Sequence, residues 1–169
     1  MITTMFRQEL SQVPIFHGLD EMQLECLDPF VELCHFTKGQ VIFDQGQAAT
    51  FMYILRLGEV IIQYKPYDAP LLTVTRIEPG GVFGWSAALG RIEYTSAAIA
   101  TVNSEAYQVR GEGLCRICAQ YPETGVVILG RLASVIAERL QSTHTQILSM
   151  LSQGKYGDCE KRIGGNGKK

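Results

Sequence analysis

The spacing of hydrophobic and polar positions changes twice along the chain. The first thirty residues favour short helices, with Asp20 as a candidate N-cap. From Leu33 to Arg110 the chain consists of short β-rich runs, each closed by a turn signal. These runs are Leu33–Thr37, Val41–Phe43, Phe51–Leu57, Val60–Lys65, Leu71–Ile77, Ser96–Val102 and Ala106–Arg110. Because no helix alternates with them, the pattern predicts a β-roll or sandwich rather than a parallel α/β sheet.

After Gly111 the spacing becomes helical. A short apolar series after Gly111 predicts a helix that ends at Tyr121-Pro122. Beyond it, apolar side chains recur at steps of three and four, which places them on one face of a long helix at about 123–151. That face carries Leu129, Leu132, Ile136, Leu140, Ile147 and Met150 or Leu151.

The last part of the chain loses this pattern. From Gln153 onward it is rich in glycine and mildly basic, so we expect a flexible tail over 153–169. The predicted organisation is therefore one folded domain over 1–152, with the roll at about 33–110, followed by the tail.

Composition agrees with a single globular domain. The chain has 169 residues, of which 46% are hydrophobic and 19% charged, enough to bury a core without disulfides. A net charge of −2 gives no electrostatic reason to expect nucleic-acid binding. Five cysteines, an odd number, and the lack of an apolar leader indicate a reduced, cytoplasmic protein, and no apolar run is long enough to span a membrane.

Enzyme motifs are missing from the sequence. It contains no G-x-S-x-G, no H-E-x-x-H and no Walker loop. Its histidines, His17, His35 and His144, do not form the His-x-His pattern of metal-dependent β-rolls. We therefore expect neither catalysis nor a catalytic metal.

The spacing of turn residues and short strands resembles that of the cyclic-nucleotide-binding domain, in particular the domain of catabolite-activator-like bacterial regulators. The resemblance covers roughly residues 10 to 151. The matching segments are Pro14–Leu19, Lys38–Phe43, Gln45-Gly46, Tyr53-Ile54 and Gly58-Glu59-Val60. The resemblance implies a mainly β fold: a jelly-roll-like β-roll with short N-terminal helices and a long C-terminal helix. It also implies a regulator in signal transduction.

Regulators of this family carry a DNA-binding domain after the long helix. Here about eighteen glycine-rich residues follow Leu151. We therefore expect a subgroup without a DNA-binding domain in this chain.

In that family a Gly-rich turn and a short helix hold the cyclic phosphate through backbone N–H groups. The stretch that resembles this cassette is Pro79–Leu89. The family's ribose-binding Glu is replaced by Trp85, and aligning Ser96-Ala97 with the family's pattern puts Thr95 at the position of its phosphate-binding Arg. Loss of a guanidinium–phosphate pair would weaken binding roughly 10- to 1000-fold. The cassette is therefore divergent.

The candidate ligand-binding residues are Phe83, Gly84, Trp85, Ser86, Ala87, Arg91, Tyr94, Thr95, Ser96 and Thr143. Arg91 either points to water, which is favoured, or replaces the missing Arg. Thr143 either touches a base or is a small residue at a helix contact. Trp85 either fills the vacated site, which is favoured, with Tyr94 as its partner, or stacks on a flat ligand.

Three functions remain open at this stage. The favoured one is a sensor of a small, nucleotide-like ligand; the others are a genuine cAMP- or cGMP-binding protein and a dimerisation module with a self-filled pocket. No cofactor is assigned, and a cyclic nucleotide or another small anion is the candidate ligand. The apolar stripe around Ile147 and Leu151 predicts a parallel homodimer, and an effector protein is a further candidate partner.

Cys115 and Cys118 form a C-x-x-C motif whose thiols would share a helical face. No second C-x-x-C and no nearby His completes a metal site. Because buried free cysteines are common, a structural role is favoured over a redox or metal role.

Overall fold

The computed structural model describes the backbone of residues 4–163 and the side chains of 7–145, 148, 149 and 152. Two short helices, α1 (Thr4–Gln12) and α2 (Glu21–Glu25), precede a single 3-10 turn at Asp28–Phe30. The predicted N-cap is confirmed: the Asp20 carboxylate accepts the backbone N–H of Gln23, and the Gln23 side chain accepts the N–H of Asp20. This reciprocal capping box satisfies two N–H groups that the first turn of α2 leaves open.

In residues 4–163, eight antiparallel strands form two four-stranded sheets, which confirms the predicted jelly-roll-like β-roll. The strands are β1 (Val31–Phe36), β2 (Val41–Phe43), β3 (Phe51–Leu57), β4 (Val60–Tyr64), β5 (Leu72–Ile77), β6 (Val82–Phe83), β7 (Ala97–Ala100) and β8 (Ser104–Arg110). The sheet orders are β1-β8-β3-β6 and β2-β7-β4-β5. Of these strands, β6 was not predicted, because two residues are too few to show alternation.

The hydrophobic core draws side chains from both sheets. Its buried members are Phe43, Tyr53, Leu55, Val60, Ile62, Ile77, Phe83, Tyr94, Ala98 and Ala106. Small residues on β7 and β8 let the larger side chains of the facing strands meet in the middle. The core is therefore rich in aromatic rings next to β6.

Two helices follow the roll: α3 (Gly111–Gln120) and α4 (Pro122–Ile163). Pro122 suits the first position of α4, where its missing N–H costs nothing. The helix continues beyond its predicted end at Leu151 and includes Gly154 and Gly157. Glycine costs about 1 kcal/mol in a helix but does not forbid one. The predicted tail thus lies partly in this helix and partly, from residue 164, outside the described residues; its flexibility stays a prediction.

The chain divides into two compact units, Met1–Leu132 and Ala133–Lys169. In the first unit, the opening turns of α4 bury Thr124, Ile128 and Leu132. In the second, Leu140 and Leu148 are 66% and 53% exposed. The side chains of Ile147, Met150 and Leu151, which the predicted stripe includes, lie outside the described ones. No helix in the described part of the chain has the length and apolar character needed to cross a membrane.

Candidate functional site

The segment that resembles the phosphate-binding cassette is held inside the roll at its start. Val82 and Phe83 of β6 pair with Ile54 and Tyr53 of β3, and both are almost fully buried. Further along, Ser86, Ala87 and Ala88 are also buried. The segment is therefore part of the packed domain and not an exposed surface loop.

Residues 85–90 form consecutive turns rather than the short helix expected from the resemblance. The backbone N–H of Ala87 donates to the carbonyl of Gly84 at 3.3 Å, and that of Leu89 to Trp85 at 3.1 Å. The N–H of Arg91 reaches the carbonyl of Ser86 at 3.0 Å. These bonds span three, four and five residues, so no regular helical repeat is established.

Gly84 lies where the cassette passes over the aromatic core. Its φ of +69° is in the left-handed region, and a Cβ there would lie 3.1 Å from the rings of Phe43 and Tyr53 and from the carbonyl oxygen of Phe51. Any side chain at this position would meet both backbone strain and crowding. The close approach fixes the height of the turn above the core.

Tyr94, at the end of the cassette loop, fills the interior beside this turn. Its ring stacks on Phe43 with centroids 3.8 Å apart and planes inclined by 15°. Its hydroxyl donates to the carbonyl of Phe51 at 2.6 Å and accepts the N–H of the same residue at 3.1 Å. Burial raises the pKa of the Tyr94 hydroxyl, which keeps it protonated as this bonding requires.

The stack continues through two further rings. Tyr53 packs on Phe83 with centroids 5.1 Å apart and on Phe43 at 5.8 Å. Phe43 and Phe83 are 6.2 Å apart. These four side chains occupy the interior next to the cassette, where the sequence favoured Trp85 as the filler. Trp85 is only half-buried, and the ring of Phe43 stacks on Tyr94.

On the outer side of the cassette loop lies a groove of about 800 Å³. It is lined by Gln45, Gly46, Tyr64, Gly90, Arg91, Ile92, Glu93, Tyr94 and Thr95. Backbone hydrogen bonds between residues 46–49 and 92–94 hold this wall in place. Arg91 and Thr95 are exposed here, and Ser96 is half-buried before β7.

The candidate residues thus separate into two groups. Phe83, Ser86, Ala87 and Tyr94 have buried side chains, with Gly84 between them, while Arg91 and Thr95 face the outer groove. Thr143 is half-buried on α4 in the second unit. The assignment of these residues to a ligand stays a prediction.

The cassette has no ionisable side chain at the two positions where the resemblance places charges. Trp85 and Thr95 carry no charge and cannot form an ion pair with a phosphate, and the nearby Arg91 forms no ion pair among the residues that the structure describes. An anion held by this turn would depend on backbone N–H groups and the Ser86 hydroxyl.

The cassette also rests directly on α3. A Cβ at Gly111 would lie 2.3 Å from the carbonyl oxygen of Ala87, so the turn and the first residue of α3 are in backbone contact. At the other end of α3, a Cβ at Gly125 would lie 2.7 Å from the Cα of Cys118. Contacts without intervening side chains therefore connect the cassette, α3 and the start of α4.

Sequence reasoning did not identify Phe43 and Tyr53 as part of the site. Both were placed correctly in strands, and alternation along β3 puts Tyr53 and Leu55 on the same face. No local signal shows that Phe43 stacks on Tyr94 or that Tyr53 packs on Phe83, because these contacts join separate segments. Within the described part of the chain, no cluster of three or more His, Cys, Asp or Glu residues could hold a metal ion.

Comparison with known proteins agrees with this geometry. The sequence profile of the cyclic nucleotide-binding domain matches residues 33–121. The chain is 22% identical over 134 residues to the cyclic AMP receptor protein of Thermus thermophilus, covering 79% of this chain and 60% of that protein. It is 23% identical over 154 residues to a CRP-like cAMP-activated global transcriptional regulator of Mycobacterium tuberculosis, covering 91% and 67%.

A solved cyclic nucleotide-binding domain from Methylobacillus flagellatus superposes with a TM-score of 0.78 at 14% identity, over 86% of this chain and 84% of that one. The chain spans about two thirds or less of the length of the curated relatives it matches. Because the profile covers more than half of the chain and the eight strands follow the same roll, the chain belongs to the cyclic nucleotide-binding domain family.

Proposed function

We propose that this chain is a non-enzymatic regulatory domain in which a small ligand, bound beside Gly84–Ala87, biases the long helix of a homodimer. The observation that carries the proposal is the retained cassette: a buried turn packed between the aromatic core and the first residue of α3. A surface loop that had lost its role would have no need for this double packing.

The ligand we propose differs from cAMP or cGMP in how it is held. With Trp85 and Thr95 at the two anchor positions, phosphate recognition rests on backbone N–H groups and the Ser86 hydroxyl. Loss of the guanidinium partner alone corresponds to roughly 10- to 1000-fold weaker binding. Genuine cAMP binding is therefore the less favoured alternative.

Two measurements test this recognition. Protein purified without added nucleotide is denatured and its small molecules are identified by mass spectrometry. We expect a stoichiometric compound in the wild type and a lower occupancy in Ser86→Ala, a change that removes one hydroxyl and leaves the turn intact. Wild-type protein without any such compound, or a Ser86→Ala variant with the same occupancy as the wild type, would count against the proposal.

The double variant Trp85→Glu with Thr95→Arg returns both family anchors. Calorimetry with cAMP should show binding by this variant that is roughly 10- to 1000-fold tighter than that of the wild type. Thr95→Lys adds a positive charge without the bidentate hydrogen bonding of arginine, so its affinity for cAMP should rise less. Equal, tight binding of cAMP by the wild type would instead establish the cAMP-binding alternative.

The coupling between pocket and helix is proposed to run through α3. Because Ala87 and Gly111 are in backbone contact, a shift of the turn on ligand binding moves the start of α3, and Cys118 transmits it to Gly125 of α4. A ligand changes the helix only if it prefers one of the two arrangements. Hydrogen exchange at residues 122–132 should therefore change on ligand binding in the wild type.

The homodimer is proposed from the exposed apolar residues of α4. Leu129 and Leu140 are 40% and 66% exposed, although they lie on the predicted stripe. Leu140→Lys should give monomers in sedimentation velocity, while Ser142→Lys, the same charge on another exposed face of the helix, should not. A Leu140→Lys protein that sediments like the wild type would refute a dimer through this face.

A second candidate function is favoured by one observation. Tyr94 and Phe43 already stack tightly inside the roll, so the domain resembles a self-filled interaction module. If the pocket is self-filled, the double variant Trp85→Glu with Thr95→Arg should gain no cAMP affinity, because the stacked rings leave no room for the nucleotide. A cytoplasmic location and an effector protein as partner remain further proposals.

A further inference from the structure

We propose that Cys115 and Cys118 form a redox-active thiol pair, which a small disulfide oxidises to an intramolecular disulfide that loosens the packing of α3 on α4. The pair lies on α3, and its chemistry does not depend on the ligand proposed above.

The helix places the two cysteines on one face. Cys115 and Cys118 are three residues apart within α3, so they share one face. Both are free thiols; Cys115 is exposed and Cys118 is half-buried. Burial and the neighbouring Cys115 both raise the pKa of Cys118, which agrees with their proximity.

Their different exposure assigns the two chemical roles. The exposed Cys115 thiolate attacks one sulfur of the oxidant disulfide, forms a mixed disulfide and releases the first thiolate, which takes up a proton. The Cys118 thiol then loses its proton and attacks the Cys115 sulfur, releasing the second oxidant thiol. Overall, two protein thiols are oxidised to one disulfide and one small disulfide is reduced to two thiols. An accessible attacking thiol beside a resolving thiol is typical of redox-sensing cysteines.

Forming the bond requires a local change in α3. Cβ atoms three residues apart on a helix are about 5–6 Å from each other, whereas a disulfide needs about 3.5–4.5 Å. The last turn of α3 can yield, because the helix ends at Gln120 just before Pro122. A strained and exposed disulfide is easily reduced again, so the change is reversible.

Formation of the disulfide changes the contact between α3 and α4. A Cβ at Gly125 would lie 2.7 Å from the Cα and 2.9 Å from the Sγ of Cys118, so the two helices approach each other closely at this point. Drawing Sγ toward Cys115 removes it from this contact. We therefore expect the first turns of α4 to be less protected in the oxidised form.

The chemistry is tested by equilibrating the full chain with oxidised and reduced glutathione, alkylating free thiols and mapping peptides by mass spectrometry. We expect a Cys115–Cys118 disulfide at lower oxidised-to-reduced ratios than any modification of Cys34, a half-buried thiol on β1. In Cys118→Ser the reaction should stop at a glutathione adduct on Cys115, and in Cys115→Ser Cys118 should stay reduced. A persistent glutathione adduct on Cys115 in the wild type, or a disulfide to another cysteine or to another chain, would refute the proposal that Cys115 and Cys118 form a redox pair.

The structural effect is tested by hydrogen exchange at residues 122–132. Oxidised wild type should exchange faster there than the reduced protein, while Cys115→Ser treated with the same oxidant should not change. A disulfide that forms without altering this exchange would overturn the proposed link to α4. Because neither readout involves a pocket ligand, failure here is distinct from failure of the proposed function.

Discussion

Replacing Tyr94 by phenylalanine tests whether the interior beside the cassette is a hydrogen-bonded core. The change keeps the ring that stacks on Phe43 and removes the hydroxyl, which makes two hydrogen bonds to the backbone of Phe51 at 2.6 and 3.1 Å. Each such bond contributes about 0.5–1.5 kcal/mol, so the free energy of unfolding should fall by about 1–3 kcal/mol. For a chain of this size, each kcal/mol lowers the melting temperature by about 2–4 °C.

Urea unfolding followed by tryptophan fluorescence measures this change. Trp85 is the single tryptophan of the chain and lies in the cassette, so the signal reports on this region. Tyr64→Phe is the matched control: Tyr64 is 41% exposed, and its change should stay within about 0.5 kcal/mol of the wild type. If Tyr94→Phe were as stable as Tyr64→Phe, the hydroxyl would not anchor the loop, and the interpretation of a fixed, filled interior would be wrong.

Two further predictions concern contacts between separate elements of the fold. Gly111→Ala would place a Cβ 2.3 Å from the carbonyl oxygen of Ala87 and should lower the free energy of unfolding, measured by thermal unfolding, by about 1–3 kcal/mol. In the control Gly130→Ala the new Cβ meets nothing within 4 Å, so the free energy of unfolding should rise by up to about 1 kcal/mol. If both variants changed the stability alike, the contact between Gly111 and Ala87 would be contradicted. Arg56 of β3 donates hydrogen bonds to both carboxylate oxygens of Glu9 of α1, at 2.9 and 3.0 Å. These bonds hold the pKa of Glu9 below its ordinary value of 4.5, so the stability that Glu9 contributes is present above that value and is lost as pH falls through the folded pKa. In Glu9→Gln the free energy of unfolding should fall less steeply as the pH is lowered. If its pH dependence matched that of the wild type, the contact between Glu9 and Arg56 would not stabilise the fold.

The strands and the first helix cap could be predicted because their signals are local. Turn residues end each β-rich run, and Asp20 with Gln23 forms a capping box within four residues. Strand β6 and the full length of α4 could not be predicted in the same way. β6 is defined by its pairing with Tyr53 and Ile54, and α4 continues through Gly154 and Gly157, which local propensity disfavours.

The sequence by itself determined the family and the roll between helices, because these depend on residue type and spacing, and it predicts that Trp85 and Thr95 replace the family's two charged anchors. Only the tertiary structure decided that Tyr94 rather than Trp85 fills the interior, that Arg91 and Thr95 face an outer groove, and that Ala87 touches Gly111. The physical reason is that such contacts join segments far apart in the chain. Which side chain enters a shared interior depends on the space that all of the surrounding strands leave, and no single stretch of sequence contains that information.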